Sequence, residues 1–216
     1  DVNIHAIGYN KAMLVKDEVL RMLLGHKGST VSGQEIADML SCSRMAVSKA
    51  VSQLQDEGVV ISTQKGVGYA LEKADVLSSA VLEDLFPIPA YEAKDSVSTM
   101  IDAKDLLNRG AEAPFAVIAE TQEGGRGRLG RSFFSPKGGV YFSVVIPGSD
   151  IPSPDLLTIS ASLAASRVIE RLTGLSTAIK WVNDIYVGGK KVVGILTEGI
   201  VNMELGGLDK AIVGIG

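Results

Sequence analysis

Apolar residues recur at helical spacing through the first quarter of the chain, with polar residues between them. This pattern predicts a helix from Lys11 to Gly25, a second helix after Ser32, and a third from Arg44 to about Glu57. Ser32 and Glu35 fit a capping box, and Ser43 is the expected cap of the third helix. We therefore expect three short helices, the last two joined by a three-residue turn.

The third helix and the hairpin pattern after it predict a DNA-binding unit. A turn of this length is typical of a helix-turn-helix, and the alternating pattern over residues 59–71 indicates a β-hairpin, or wing. Residues 1–73 hold eight basic and eight acidic residues, so DNA binding must depend on local placement of charge. A protein-contact role is the alternative. Met45, Val47, Val51 and Leu54 are expected to face inward; the expected DNA contacts are Arg44, Ser48, Lys49, Ser52 and Lys65.

The second half of the chain alternates short apolar runs with few helices, which predicts an α+β domain with a mixed, largely antiparallel sheet and flanking helices. A helix over residues 156–172 is rich in small and apolar residues, so we expect it to pack into the core. Gly188 and Gly189 indicate a hairpin turn. The break at Pro87 and Pro89 suggests three segments: a winged helix over 1–73, a linker helix over 74–89 and a second domain over 90–216.

Composition narrows the functional classes. The 216 residues are 46% hydrophobic with a net charge of −4, which allows a real core and argues against a protein coated in nucleic acid. Apolar runs stop well short of the ~20 residues that span a bilayer, so no membrane partner is expected. A single cysteine, Cys42, and the lack of an apolar leader suggest a cytoplasmic protein.

Residues 120–136, here called the Gly-Arg loop, form the strongest candidate site. Arg126, Arg128 and Arg131 can face one anion, and the loop's four glycines are expected to adopt positive φ and to expose amides toward phosphate. A mobile, solvated connection is the alternative. Gly125, Gly127 and Gly130 also fit a dinucleotide-binding pattern, but a turn and a strand follow where that pattern needs a helix.

Three motifs, in this order, resemble the biotin–protein ligase family: Gly125–Arg131, Lys180–Asp184, and Lys191 ahead of Gly194–Glu198. A winged helix before them is similar to the bifunctional form, which is both ligase and biotin-operon repressor. The resemblance implies a class II synthetase-like domain that makes biotinyl-5′-AMP from biotin and ATP with Mg²⁺. It further implies transfer of the biotinyl group to a lysine of a biotin carboxyl carrier domain, binding to operator DNA, and a homodimer when biotinyl-AMP is bound.

The resemblance also implies roles for single residues. Arg126, Arg128, Lys191 and Asp184 match catalytic positions, and Asp184 also matches a metal-linked position. Biotin contacts are expected from Ser98, Thr99, Gln122, Gly125, Arg126, Arg128, Lys191 and Gly194. ATP or adenylate contacts are expected from Arg126, Arg128, Arg131, Phe133, Asn183 and Asp184. A structural carboxylate at Asp184 and a solvated hairpin lysine at Lys191 are the alternatives.

The chain departs from the family pattern in three places. Met100 replaces Asn, Val182 replaces Pro, and the chain stops at Gly216 where the family continues into a small β-barrel, so we expect a C-terminally incomplete chain. These departures keep a second function open, a winged-helix regulator that senses biotin or biotinyl-AMP without turnover. A lipoate–protein ligase has a similar sheet but lacks the Gly-Arg-Gly-Arg signature.

Overall fold

The structure is a computed structural model that describes residues 11–64, 66–202 and 206–216. The chain divides into two compact units on either side of the Pro87–Ile88 peptide bond. Each unit has its own hydrophobic core, and each is described separately below.

The first unit is a bundle of helices with a two-stranded wing. Its elements are α1 (Lys11–Gly25), α2 (Gly33–Met39), α3 (Arg44–Asp56), β1 (Val60–Gln64), β2 (Gly68–Lys73) and α4 (Ser79–Leu85). The Ser32 hydroxyl accepts a hydrogen bond from the Glu35 amide at 3.0 Å, and the Ser43 hydroxyl accepts one from the Ala46 amide at 3.1 Å. Both predicted caps are confirmed, and they fix where α2 and α3 begin.

One face of α3 supplies much of the first core. Val47, Val51 and Leu54 are buried as predicted, but Met45 is 80% exposed, so its expected inward position is wrong. Because residues three and four apart share a helix face, Met45, two residues before Val47, lies on the other side. Residues 74–89 were expected to be a linker helix; α4 lies within this segment and places Ala80 and Val81 in this core.

The second unit is built on a seven-stranded sheet. Its elements are β3 (Ala90–Glu92), α5 (Thr99–Asn108), β4 (Phe115–Ala119), β5 (Tyr141–Pro147), α6 (Pro154–Thr173), β6 (Thr177–Lys180), β7 (Asp184–Val187), β8 (Lys190–Asn202) and β9 (Gly207–Ile215). The strand order is β3-β4-β5-β9-β8-β7-β6, and every neighbouring pair is antiparallel except β3 and β4. The predicted α+β, largely antiparallel architecture is confirmed.

The two helices of this unit meet the sheet in different ways. α5 packs on the centre of the sheet, where the buried apolar cluster consists of Met100, Ala103, Phe115, Val117, Val145 and Ile212. The buried residues of α6 are Ser162 and Ser166, whereas Leu163, Val168 and Leu172 are exposed. The expectation that α6 packs into the core is therefore wrong, since its only buried side chains are these two serines. Among the described residues, no helix is both long and apolar enough to cross a membrane.

Candidate active site

The three motifs of the second unit meet around one cavity of about 310 Å³. It lies where the start of α5 and the Gly-Arg loop approach strands β8 and β9. The predicted site residues that line it are Ser98, Thr99, Gln122, Arg126, Arg128, Arg131, Phe133, Asn183, Asp184, Lys191 and Gly194. Gly125, the remaining predicted residue of this unit, is buried and is not among the lining residues.

One end of the cavity is a network of hydroxyl and amide groups. The Thr99 amide donates to Gln122 Oε1 at 2.9 Å, and Gln122 Nε2 donates to Ser135 Oγ at 2.8 Å. Thr99 Oγ1 lies 2.8 Å from Ser143 Oγ, and both side chains are buried. Since each group already has a partner, the network holds Thr99 and Gln122 in place and can present them to a polar ring.

Ser135 and Ser143 belong to this network but were missed from the sequence. Ser143 stands inside the apolar run of β5 and is completely buried. A single hydroxyl in a buried apolar run needs a polar partner, so the position of Ser143 in this run could have indicated a functional or structural hydrogen bond. Ser135 follows the Gly-Arg tip and offered no comparable signal.

The other end of the cavity carries a chain of charged and polar contacts. Lys191 Nζ lies 2.9 Å from Asp184 Oδ1, and Asn183 Nδ2 donates to the same oxygen at 2.9 Å. Arg128 Nη1 donates to Asn183 Oδ1 at 3.1 Å. The Asp184 side chain is 21% exposed and that of Lys191 40%. Asp184 thus links its own motif to Lys191, and Asn183 links it to the Gly-Arg loop.

The Gly-Arg loop differs from its predicted geometry. The Gly127 amide donates to the Arg131 carbonyl at 2.8 Å, so this hydrogen bond occupies a donor that was expected to face phosphate. Positive φ occurs at Gly130 and Leu129, the tip, and not at the three preceding glycines. Gly125 is needed for space: a Cβ there would lie 2.4 Å from the Phe133 carbonyl oxygen. The arginine side chains are therefore the loop's main groups for an anion.

Three glycines form the floor of the cavity. A Cβ at Gly214 would lie 2.8 Å from Met100 Sδ, and a Cβ at Gly194 or Gly216 would lie 2.7 or 2.8 Å from the Phe133 ring. Gly194 was predicted, whereas Gly214 and Gly216 were missed. Gly214 lies in β9 and Gly216 directly follows it, and their alternate spacing, which was the available signal, is typical of residues on one face of an extended chain.

Phe133 lies across this floor and is held by two contacts. Its ring meets that of Tyr141 edge-to-face, with centroids 6.5 Å apart. Lys191 Nζ lies 5.8 Å from the Phe133 ring centroid, within reach of a cation–π interaction. The Tyr141 hydroxyl donates to the Pro136 carbonyl at 2.8 Å, and burial raises the pKa of Tyr141, so this donor stays protonated at neutral pH.

The described residues alone provide few ligands for a magnesium ion. No group of three or more His, Cys, Asp or Glu side chains lies close enough together to hold a metal within the described ranges. Asp184 is the predicted ligand, and its two contacts both go to Oδ1. Mg²⁺ commonly takes one or two carboxylates plus substrate phosphates, so the site fits magnesium that arrives with a nucleotide.

In the first unit, the predicted DNA-contacting residues of α3 lie on its exposed side. Arg44, Ser48, Lys49 and Ser52 are all exposed. Arg44, Ser48 and Ser52 are spaced by four and form one stripe, with Lys49 beside it. Neither Arg44 nor Lys49 has an ion-pair partner among the described residues. Lys65, predicted at the wing tip, lies outside the described residues.

Comparison with known families assigns each unit. An HTH domain model matches residues 16–70, and the model of the biotin/lipoate A/B protein ligase family matches residues 92–215. The bifunctional ligase/repressor BirA of Bacillus subtilis is 37% identical over 195 residues, which cover 86% of this chain and 59% of that protein. The Escherichia coli BirA is 33% identical over 179 residues, covering 79% and 54%. The chain thus spans less than two thirds of these relatives.

Solved structures agree with these matches. The biotin protein ligase of Aquifex aeolicus in complex with biotin and ATP has a TM-score of 0.50 at 33% identity, over 60% of this chain and 51% of that one. The Leishmania major ligase in complex with biotinyl-5-AMP has a TM-score of 0.51 at 30% identity, over 61% and 57%. The ligase family model matches more than half of the chain. The chain therefore belongs to the biotin/lipoate A/B protein ligase family and carries an N-terminal HTH domain.

Proposed function

We propose that this protein is a biotin–protein ligase that also represses transcription. It would form biotinyl-5′-AMP from biotin and ATP, then biotinylate a lysine of a biotin carboxyl carrier domain. The observation that carries the proposal is the joining of three distant motifs in one cavity, through the contacts of Arg128 with Asn183 and of Asp184 with Lys191.

The charged end of the cavity suits the adenylation step. A carboxylate oxygen of biotin attacks the α-phosphorus of ATP, the bond to the bridging oxygen breaks, and pyrophosphate leaves. Two anions must approach each other, so cations held in advance lower the barrier. Arg126, Arg128 and Lys191 are those cations, and Asp184 orients the Lys191 ammonium. Mg²⁺ would neutralise phosphate charge, with Asp184 as its protein ligand.

The polar end of the cavity suits the ring of biotin. Thr99 and Gln122 offer a hydroxyl and an amide that are fixed by Ser143 and Ser135, and Ser98 is buried at the N-terminus of α5. Phe133 and Met100 pack on the glycine floor and give the cavity an apolar surface for the chain of biotin. In the second step the carrier lysine's ε-amine attacks the biotinyl carbonyl carbon, and AMP leaves.

Adenylation is tested by incubating the chain with biotin, Mg²⁺ and ATP labelled on the α-phosphate. The expected product is labelled biotinyl-AMP, absent without biotin and strongly reduced in Asp184→Ala. Lack of product together with tight binding of added biotinyl-AMP would support the sensor without turnover. Lack of both product and binding would refute a biotin site.

The regulatory half of the proposal rests on the HTH match and on the exposed polar face of α3. Operator DNA is the expected ligand, and a homodimer formed with biotinyl-AMP would present two α3 helices to it. The free Cys42 fits a reducing, cytoplasmic setting. Sedimentation with and without biotinyl-AMP tests dimerisation. Selection from random duplex DNA tests sequence preference, and an unchanged pool would argue against a repressor.

A further inference from the structure

Four polar side chains, each four residues apart, form a stripe along α6. Thr158 Oγ1 donates to Thr197 Oγ1 of β8 at 2.9 Å, and Ser166 Oγ lies 2.6 Å from Thr177 Oγ1 of β6. Glu170 accepts from the amide and the hydroxyl of Thr177 at 3.0 and 2.9 Å. The fourth member is Ser162. Residues with this spacing share a helix face, so the stripe joins one face of α6 to the sheet by hydrogen bonds.

Ser162 differs from the other three because it contacts the backbone of a turn. Its side chain is completely buried, and its hydroxyl lies 2.8 Å from the Val182 carbonyl oxygen and 2.9 Å from the Thr158 carbonyl oxygen. The second contact lies within α6, and the two carbonyls share the single hydrogen of the hydroxyl. The first is the one that leaves the helix, and it reaches the β6–β7 turn, residues 181–183.

That turn carries the polar chain of the candidate active site. Asn183, next to Val182, accepts from Arg128 and donates to Asp184, which in turn pairs with Lys191. The Asn183 carbonyl accepts from the Ile195 amide at 2.8 Å, which ties the turn to β8. Ser162 ties it to α6, so the peptide groups on either side of Asn183 are anchored to different elements.

We propose that Ser162 is a positioning residue for adenylation: by holding the Val182 carbonyl, it fixes the orientation of Asn183 and Asp184. The proposal rests on the proposed ligase function. Without this hydrogen bond the Val182 carbonyl loses a partner, and of the two backbone anchors described above only the one from the Ile195 amide remains. Small displacements of groups that must meet a developing charge reduce the rate, even when the fold is kept.

Ser166 provides a matched control. It lies one turn further along the same stripe, is also buried, and bonds a side chain of the sheet. Its partner Thr177 begins β6, at the opposite end of that strand from the turn. Ser166→Ala therefore removes a comparable link between helix and sheet without touching residues 181–184.

The chain also contains its own reporter of the turn. Trp181 is the single tryptophan, it is 77% exposed, and it precedes Val182 directly. Its fluorescence anisotropy reports the mobility of this turn without any ligand or catalysis. This readout therefore separates failure of the positioning proposal from failure of the ligase function.

The experiment compares Ser162→Ala, Ser162→Cys and Ser166→Ala with the unaltered chain. We expect Ser162→Ala to lower the rate of biotinyl-AMP formation by about tenfold, the equivalent of one hydrogen bond, with biotin affinity unchanged. Trp181 anisotropy should fall in this variant. Ser162→Cys keeps a weak donor, so its rate and its anisotropy should lie between those of Ser162→Ala and those of the unaltered chain. Ser166→Ala should keep the rate and the anisotropy of the unaltered chain.

Thermal melting of each variant verifies folding. Equal anisotropy in Ser162→Ala and the unaltered chain would overturn the proposal, as would equal losses of rate in Ser162→Ala and Ser166→Ala. If the unaltered chain forms no biotinyl-AMP, the ligase function fails, and the anisotropy of the two alanine variants still decides whether Ser162 orders the turn.

Discussion

The two candidate functional surfaces hold their cations differently. On α3, Arg44 and Lys49 are exposed and have no ion-pair partner among the described residues. In the cavity, Arg128 is bonded to Asn183 and Lys191 is paired with Asp184. The first surface offers exposed charge that no described neighbour holds, so we expect it to be mobile, whereas the second offers charge fixed by neighbours.

This difference matches the ligand proposed for each surface. DNA presents many equivalent phosphates, so a mobile lysine finds a partner easily and gains from released counterions. Adenylation develops charge at one phosphorus atom, and a cation must already be in position there. Loss of a fixed cation should therefore be costly in rate, whereas loss of a mobile one should change affinity gradually and depend on salt.

The largest expected effect comes from Lys191→Ala, which should lower adenylation at least about a hundredfold, since one preorganised donor contributes roughly 2.7–4 kcal/mol. The folded state should lose roughly 1 kcal/mol or less, because the pair with Asp184 is partly exposed. Pyrophosphate release and thermal melting measure the two effects. Lys190→Ala, the exposed neighbour, is the control. Near-normal pyrophosphate release in Lys191→Ala would mean that Lys191 is a solvated hairpin lysine without a role in adenylation.

Arg128→Ala should weaken binding of biotinyl-AMP more than binding of biotin, because only the adenylate has a phosphate. A charge-assisted hydrogen bond contributes roughly 1.5–3 kcal/mol, so we expect about tenfold or more. Titration calorimetry with both ligands gives the comparison, and Arg167→Ala, an exposed arginine of α6, is the control. Equal losses for both ligands would remove the phosphate role.

Lys49→Ala should reduce DNA affinity by a similar factor for all sequences and lower the salt slope of log K by about 1, as expected for one phosphate contact. Gel shifts of the whole chain at several salt concentrations measure this slope. Lys27→Ala is the control, since Lys27 is paired with Asp84 at 2.5 Å. A slope that changes equally in both variants would contradict the contrast between mobile and paired charge.

The smallest expected effect concerns the pH dependence of stability through Asp102, a carboxylate of α5 with no ion-pair partner in the described part of the chain. Burial raises its pKa above the ordinary 3.8, while a hydrogen bond from Ser96 Oγ at 2.5 Å opposes the shift. The folded chain then binds this proton more tightly than the unfolded chain does. The contribution of Asp102 to the free energy of unfolding is therefore greatest below pH 3.8, and it falls as the pH rises through the raised pKa.

Asp102→Asn removes that titration. The free energy of unfolding of Asp102→Asn, relative to that of the unaltered chain, should therefore rise between acid and neutral pH. Urea unfolding at several pH values measures this difference. A constant difference across this range would mean that Asp102 does not titrate above its ordinary pKa.

Local signals in the sequence predicted much of the fold. Ser32 and Ser43 marked the starts of α2 and α3, and Gly25 marked the end of α1. The apolar run Phe115–Ala119 coincides with strand β4. These features depend on neighbours within a few residues, so they can be read from the chain directly.

Features that depend on distant partners could not be predicted in this way. Arg128 and Asn183 are 55 positions apart, and their contact exists because the sheet brings the loop to the turn. The Gly127 amide is taken by Arg131 through the local hairpin, which composition alone does not specify. For α6, apolar content suggested a core position, but its serine and threonine stripe decided which side meets the sheet.

The three glycines of the cavity floor cannot be replaced by smaller residues, so a substitution at any of them can only add atoms. Any replacement of Gly194, Gly214 or Gly216 adds atoms where Phe133, Met100 or Lys191 already lies. A side chain at any of these glycines therefore has to displace a neighbour that lines the cavity. Met100, whose sulfur faces Gly214, is the neighbour that can be shortened without moving a strand. A change in ligand length would therefore begin on the helix, and the strands would constrain it.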